Sequence, residues 1–261
     1  MEHVNSFNKF ATVSGPSFKG INYFSTTSLG GVSKNEYRSF NLGLNTADNT
    51  NNVKSNHLIL RNALPSDPVL LQQVHGNEVL DLTKHTISSY VHDNATLPQA
   101  DAAVTATKGQ VLAILTADCL PVVITNTSAT IVGVAHAGWR GLSSGVLQNT
   151  LQVMKNSSSN TNSLWQAWIG PCIHTESFEV GNDVLEAFID INPSYKGFFV
   201  PGVNRGKWYA DLIGLAKEIL VSAGVLQVYH SPWCTYKNSH LFYSYRRNRS
   251  TGRQATVAWL S

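Results

Sequence analysis

Apolar positions in the middle of the chain gather into short, β-branched runs separated by turn residues. Pro68–Val74, Ala102–Thr107, Val111–Thr116, Pro121–Thr125 and Ile131–Ala135 have the length and make-up of buried strands. Beyond Gly141 the spacing changes: Leu142, Val146, Thr150, Leu151 and Met154 recur near helical intervals, with Ser143 and Ser144 available as caps. This pattern predicts a strand, a tight glycine-rich turn and a helix. Leu164–Ile169 reads as a strand ending at Gly170-Pro171, and Asn182–Ile189 as a short helix. Trp208–Ala223 reads as a longer helix, with Leu212, Leu215, Ile219 and Leu220 on one side and Gly224 as its C′ residue. Val225–Tyr229 and Gln254–Leu260 read as strands, while Asn45–Asn56, Lys84–Pro98 and Asn156–Ser163 read as polar surface excursions. Strands outnumber helices without alternating with them, which predicts an α+β fold of mixed β-sheets packed against helices.

Composition narrows the functional classes. With 261 residues, 43% hydrophobic and 13% charged, the chain carries enough apolar surface for one globular domain over residues 1–261. A net charge of +3 falls short of the concentrated charge of a nucleic-acid binder and suits a small anionic ligand equally well. Met1–Gly20 holds no basic cluster followed by an apolar run, and the apolar stretch Val111–Ile124 is interrupted by Asp118 and Pro121. Cys119, Cys172 and Cys234 lack the spacing of a secreted disulfide scaffold, so the expectation is a soluble cytoplasmic protein with free thiols.

Three segments end an apolar run with a reactive side chain beside Gly or Pro: Gln72-Gln73-Val74-His75-Gly76, Thr116-Ala117-Asp118-Cys119-Leu120-Pro121 and Ala135-His136-Ala137-Gly138-Trp139-Arg140-Gly141. A sheet would hold such groups rigidly while the turns expose them to a shared cleft. Taken singly, a His is more often a partly buried structural residue and a Cys a small core residue.

Together these segments resemble the signature of the YfiH-type purine nucleoside phosphorylases, also labelled laccase-domain or polyphenol-oxidase-like proteins. The resemblance extends through Phe24-Ser25-Thr26-Thr27, Gly30-Gly31-Val32-Ser33, Phe40-Asn41-Leu42-Gly43, Trp168-Ile169-Gly170-Pro171, Phe178-Glu179-Val180-Gly181, Cys234-Thr235, Phe242-Tyr243-Ser244-Tyr245-Arg246-Arg247 and Thr251-Gly252-Arg253, and so covers essentially the whole chain. It implies a cysteine-hydrolase-like YfiH fold and a catalytic zinc held by His75, Cys119 and His136. Three N/S ligands leave one tetrahedral position open, as catalytic zinc sites do. Copper could occupy the same single site, but none of the nine His residues forms the His-x-His pairs typical of a multicopper oxidase.

The implied chemistry is phosphorolysis of adenosine, inosine and methylthioadenosine, with purine nucleosides and phosphate as the small-molecule partners, together with adenosine deamination. A metal that generates a nucleophile near neutral pH accounts for the deamination. Arg140, between the His136 turn and a helix, is the first candidate for substrate phosphate. Asp118, beside Cys119, is the candidate acid/base or orienting group, and Cys119 and His136 complete the catalytic set. The cluster Arg246, Arg247, Arg249 and Arg253 reads either as a phosphate attractor or as a solvated surface. Two alternatives stay open: a Cys119/His136 amidohydrolase acting on peptidoglycan precursors, and a non-catalytic metal-dependent binding protein. The oligomeric state is open at this level.

Overall fold

A computed structural model describes residues 4–7, 10–84, 97–158 and 163–261. Most of the predicted excursion Lys84–Pro98 and half of Asn156–Ser163 fall outside the described residues, and Asn156 and Ser157 close the helix Val146–Ser157 instead of starting a loop. The strands form two large sheets and one small one. A five-stranded antiparallel sheet runs in the order β1 (Val4–Phe7), β2 (Phe10–Val13), β3 (Ile21–Thr26), β14 (Gln254–Leu260) and β6 (Leu112–Thr116). A six-stranded mixed sheet runs β13 (Val225–His230), β9 (Trp165–Ile169), β7 (Leu120–Asn126), β8 (Val132–Ala137), β5 (Ala102–Thr105) and β4 (Val79–Asp81), with the two outer pairs parallel. The third joins β10 (Glu179–Gly181), β12 (Lys207–Ala210) and β11 (Phe199–Pro201). The architecture is α+β with mixed sheets, as predicted.

Strand alternation explains the layering. Along β7, Val122 and Ile124 join one core while Val123 joins another, and along β8 Ala135 and Ala137 oppose Val132 and Val134 in the same way. The first core packs against helices α3 (Val146–Ser157), α4 (Asn182–Ile189) and α5 (Leu212–Ser222); the second is shared with Ile21, Leu112, Ile114, Ala258 and Leu260 of the five-stranded sheet. The outer face of that sheet buries Phe24, Ala113, Ala255 and Val257 against Phe40, Leu42 and Leu60, the last from helix α1 (Thr50–Arg61). The order of layers is therefore helix, sheet, sheet, helices.

Several sequence expectations need correction. Pro68–Val74 forms only the isolated bridges Val69–Leu112 and Gln72–Gln99, because it crosses between the two sheets; there the Gln73 amide donates to Leu115 O and accepts from Leu115 N at 2.8 and 2.7 Å. Most of the polar stretch Asn45–Asn56 is not an excursion: from Thr50 it enters α1, capped by Asn49 and burying Val53, Asn56, His57 and Leu60. The helix expected from Trp208 starts at Leu212, since Trp208 and Tyr209 pair in β12 and Asp211 caps α5 by accepting from Gly214 N at 2.9 Å. After β8 a short helix α2 (Trp139–Ser143) comes first, and Gly145, at φ 96°, replaces Ser143 and Ser144 as the residue that opens α3.

Candidate active site

Strand register assembles the site. Pairing of Leu120 with Ala137 and of Pro121 with His136 brings Cys119, just ahead of β7, beside the end of β8. Pairing of Ala102 with Ala135 sets Asp101, just ahead of β5, next to His136, whose backbone N donates to Asp101 O at 2.7 Å. His75 lies in the turn before β4, at φ 61°. One potential ligand atom from each of His75, Cys119 and His136 lies within 4.8 Å of the others, so the structure brings the predicted triad together. Its burial is graded: His136 is buried, Cys119 half-buried and His75 exposed. The two imidazoles stand nearly perpendicular, 4.7 Å apart.

Asp101, which sequence reasoning missed, holds this arrangement. It is fully buried. One carboxylate oxygen accepts from His136 Nδ1 at 2.8 Å and from His75 N at 2.9 Å; the other accepts from Val74 N at 3.1 Å and Gly76 N at 2.7 Å. One carboxylate thus fixes the left-handed turn that presents His75 and places a proton on Nδ1 of His136, leaving Nε2 as the nitrogen free to ligate. Burial pushes the Asp101 carboxyl up, but the bond from His136, together with the Gly76 and Val74 amides, outweighs it and holds the group below its ordinary value. Burial likewise pushes the Cys119 thiol up, yet the charge and hydrogen bonds of His136 and His75 draw it down to about 6. Burial lowers His136, and Cys119 and Asp101 overcome that to raise it to about 9.

The donor set fits a single transition-metal ion. It offers one thiolate and two imidazoles, one imidazole backed by a carboxylate, which is the ligand chemistry of catalytic zinc. Gly138 leaves room for it: a Cβ there would lie 3.0 Å from Cys119 Sγ and 3.0 Å from His75 Cδ2. A second close approach, where a Cβ on Gly141 would stand 2.7 Å from Gly76 O, lets α2 pack against the His75 turn. Among the described residues this is the one group of three or more His, Cys, Asp or Glu side chains close enough to share an ion, a donor set for a single metal.

The triad opens into a cavity of about 440 Å³, walled by Leu70, Leu71, Leu97 and Leu115, with Thr116, Tyr245 and Arg253 also on its lining. Neither Asp118 nor Arg140 lies on that lining. Asp118, at φ 98°, is buried and directed into the C-terminal segment, where it accepts from Thr235 Oγ1 at 2.7 Å, Ser244 Oγ at 3.0 Å and Arg246 N at 2.7 Å. Arg140 is exposed and stacks on Trp139, its guanidinium carbon 4.3 Å from the ring centre. The arginine cluster also divides. Arg246 donates to Glu179 O at 2.8 Å, and Arg247 donates to the carbonyls of Thr235, Tyr236 and Phe242 at 2.6–2.8 Å. Arg249 is exposed, and Arg253 reaches the cavity. No helix among the described residues is long and apolar enough to cross a membrane.

Comparison with known proteins identifies the family of the chain. Residues 22–261 match the family model described as multi-copper polyphenol oxidoreductase laccase. The chain is 41% identical over 247 residues to the purine nucleoside phosphorylase YfiH of Escherichia coli, covering 94% of this chain and 96% of that protein. It is 39% identical to a purine nucleoside phosphorylase of Haemophilus influenzae, over 92% and 95% of the two chains. The crystal structure of YlmD from Geobacillus stearothermophilus superposes with a TM-score of 0.87 at 28% identity, covering 100% of this chain and 99% of that one.

Proposed function

The chain belongs to the YfiH family, and on that premise we propose that it is a zinc-dependent purine nucleoside phosphorylase. It cleaves adenosine, inosine and methylthioadenosine with phosphate, giving the free base and the pentose 1-phosphate, and it also deaminates adenosine. The observation that carries this reading is the His75, Cys119 and His136 cluster at one end of a cavity of nucleoside size. His75, Cys119 and His136 would hold the zinc, which supplies Lewis acidity to the cavity when bound.

The protein's own groups supply orientation. Asp101 keeps the Nδ1 proton of His136 in place, so the imidazole faces the cavity through Nε2 without a tautomer change during turnover. Gln73 spends both ends of its amide on Leu115 and therefore acts as a rigid wall of the cavity. The leucine wall suits a planar purine, and excluding water there strengthens every polar contact made to the sugar and phosphate.

The test is incubation of the zinc-loaded protein with adenosine, with and without phosphate, followed by separation of adenine, inosine and ribose 1-phosphate. Adenine and ribose 1-phosphate are expected only with phosphate, and inosine under both conditions; absence of all three products would sink the reading. Cys119→Ala should lose at least about 90% of its bound zinc, since one of three protein ligands is removed.

A further inference from the structure

We propose that Arg253, together with the Thr116 hydroxyl, forms the subsite for inorganic phosphate. The proposal rests on the phosphorylase reading above and names the residues that receive its second substrate. Of the four C-terminal arginines, Arg246 and Arg247 spend their guanidinium groups on backbone carbonyls and Arg249 is exposed. Arg253 alone among them lines the cavity that holds the triad, and it is the one Lys or Arg among the described lining residues. Those residues include no Asp or Glu, and no ion pair to Arg253 occurs among the described residues. The half-buried guanidinium lies over the Tyr245 ring, 5.9 Å from its centre, and is attracted by Cys119 and Asp118 without a direct ion pair among the described residues, which leaves it able to take an anionic ligand in the cavity.

The group is built in rather than adventitious. Nη1 donates to Thr251 O at 3.0 Å and Gly252 O at 2.9 Å, which fixes the plane of the guanidinium, while no bond from Nε or Nη2 to the described residues is seen. Its backbone N donates to Asn41 Oδ1 at 2.9 Å, and the same oxygen accepts from Gly43 N at 2.9 Å, tying the arginine to the loop that forms another part of the lining. Gly43 is needed there: a Cβ would stand 2.8 Å from Arg253 Cγ.

Thr116 provides the second, independent observation. It is 2% exposed, lines the same cavity, and its Oγ1 is a buried polar atom with no hydrogen-bond partner among the described residues. A buried hydroxyl left unsatisfied is costly unless a ligand completes it. Gln254 pairs with Thr116 in the β14 to β6 register, so Arg253, just ahead of β14, and Thr116, the last residue of β6, come to the same end of the sheet, and both line the cavity with His75, Cys119 and His136. The subsite therefore adjoins the metal triad. In the proposed subsite the Arg253 guanidinium is the first donor to a tetrahedral oxyanion and the Thr116 hydroxyl the second.

The experiment measures phosphorolysis of adenosine by the zinc-loaded protein at varied phosphate. Arg253→Gln should raise the phosphate KM about 10- to 100-fold, the range for one lost charge-assisted contact, with the nucleoside KM within about threefold and zinc content unchanged. Arg253→Lys should recover part of the loss, and Thr116→Val, which keeps the side-chain shape, should raise the phosphate KM about 3- to 10-fold. An unchanged phosphate KM in Arg253→Gln, or a rise confined to the nucleoside KM, would overturn the proposal. Direct titration of inorganic phosphate into the zinc-loaded protein, followed by calorimetry, separates this failure from failure of the phosphorylase reading. Binding to wild type and not to Arg253→Gln supports the subsite even if no nucleoside is cleaved. Equal binding to both, or to neither, overturns it. So does Arg253-dependent binding of AMP in the absence of such binding by inorganic phosphate, because the subsite would then serve a phosphate ester.

Discussion

Asp101 and Asp118 are both buried carboxylates that accept several hydrogen bonds, yet they hold different walls of one cavity. Asp101 is 18 residues from Cys119 and faces the metal-binding side, joining the His75 turn to the ring of His136. Asp118 is adjacent to Cys119 in sequence and faces away, fastening the Ser244–Arg246 stretch and Thr235 to the Cys119 turn. The difference lies in backbone direction. A left-handed residue at Asp118 turns its side chain out of the cavity, whereas the β5 to β8 register delivers Asp101 to His136. Nearness along the chain is thus a poor guide to which carboxylate supports a ligand. Both aspartates act on the site through other residues, one through the metal ligands and one through the segment leading to Arg253.

The largest effect should follow from substituting Asp101. In Asp101→Ala three backbone N–H groups and the His136 N–H lose their acceptor, and metal-free protein should be destabilised by about 3–5 kcal/mol in urea unfolding. Asp101→Asn preserves the shape but loses the charge that orients His136, and should weaken zinc binding about 10- to 100-fold in a chelator competition. Zinc affinity within twofold of wild type would remove Asp101 from the metal side of the comparison.

A smaller effect is expected at Asp118. Asp118→Asn should cost about 1–3 kcal/mol, because the amide can replace only some of the contacts to Thr235, Ser244 and Arg246 N, while zinc affinity stays within about threefold. Its pH–rate profile should match that of wild type. Loss of one limb of that profile with stability intact would instead make Asp118 an acid or base in the reaction and dissolve the contrast with Asp101.

The sequence displayed the triad because each member ends a strand-like run beside Gly or Pro, and five strands of the six-stranded sheet were readable from their apolar, β-type runs, whereas the three-residue edge strand β4 was too short and only half-buried to stand out. Asp101 carried no comparable signal: it is one carboxylate ahead of a short apolar run, and only pairing of Ala102 with Ala135 reveals its partner. Helix α1 was hidden for a different reason. Two of its buried positions are Asn56 and His57, which bond to the Ser33–Leu42 loop instead of supplying an apolar stripe. Trp208 and Tyr209 fitted a helical pattern, but Asp211 caps the helix behind them. Arg253 was indistinguishable from its three neighbours until β14 was seen between β3 and β6, with its entry at the cavity edge.

The finest distinction between the two walls is their response to pH, measured as unfolding free energy of the metal-free protein. Asp101 is held below its ordinary value in the folded state, so its contribution is complete above about pH 4 and disappears as pH falls through the folded value. The C-terminal wall contains Tyr243, whose hydroxyl donates to Tyr37 O at 2.8 Å; burial, with charge from Asp48, raises it well above its ordinary value. Its contribution is complete below about pH 10 and declines as pH rises from there toward the folded value. Asp101→Asn should therefore flatten the acid limb and, because Asp101 helps hold His136 up to about 9, also soften the decline between about pH 6.5 and 9, while leaving the limb above about pH 10 intact; Tyr243→Phe should flatten only that last limb. If either substitution flattened both the acid limb and the limb above about pH 10, the two walls would unfold as one electrostatic unit, and the separation of roles between Asp101 and the C-terminal segment would have to be abandoned.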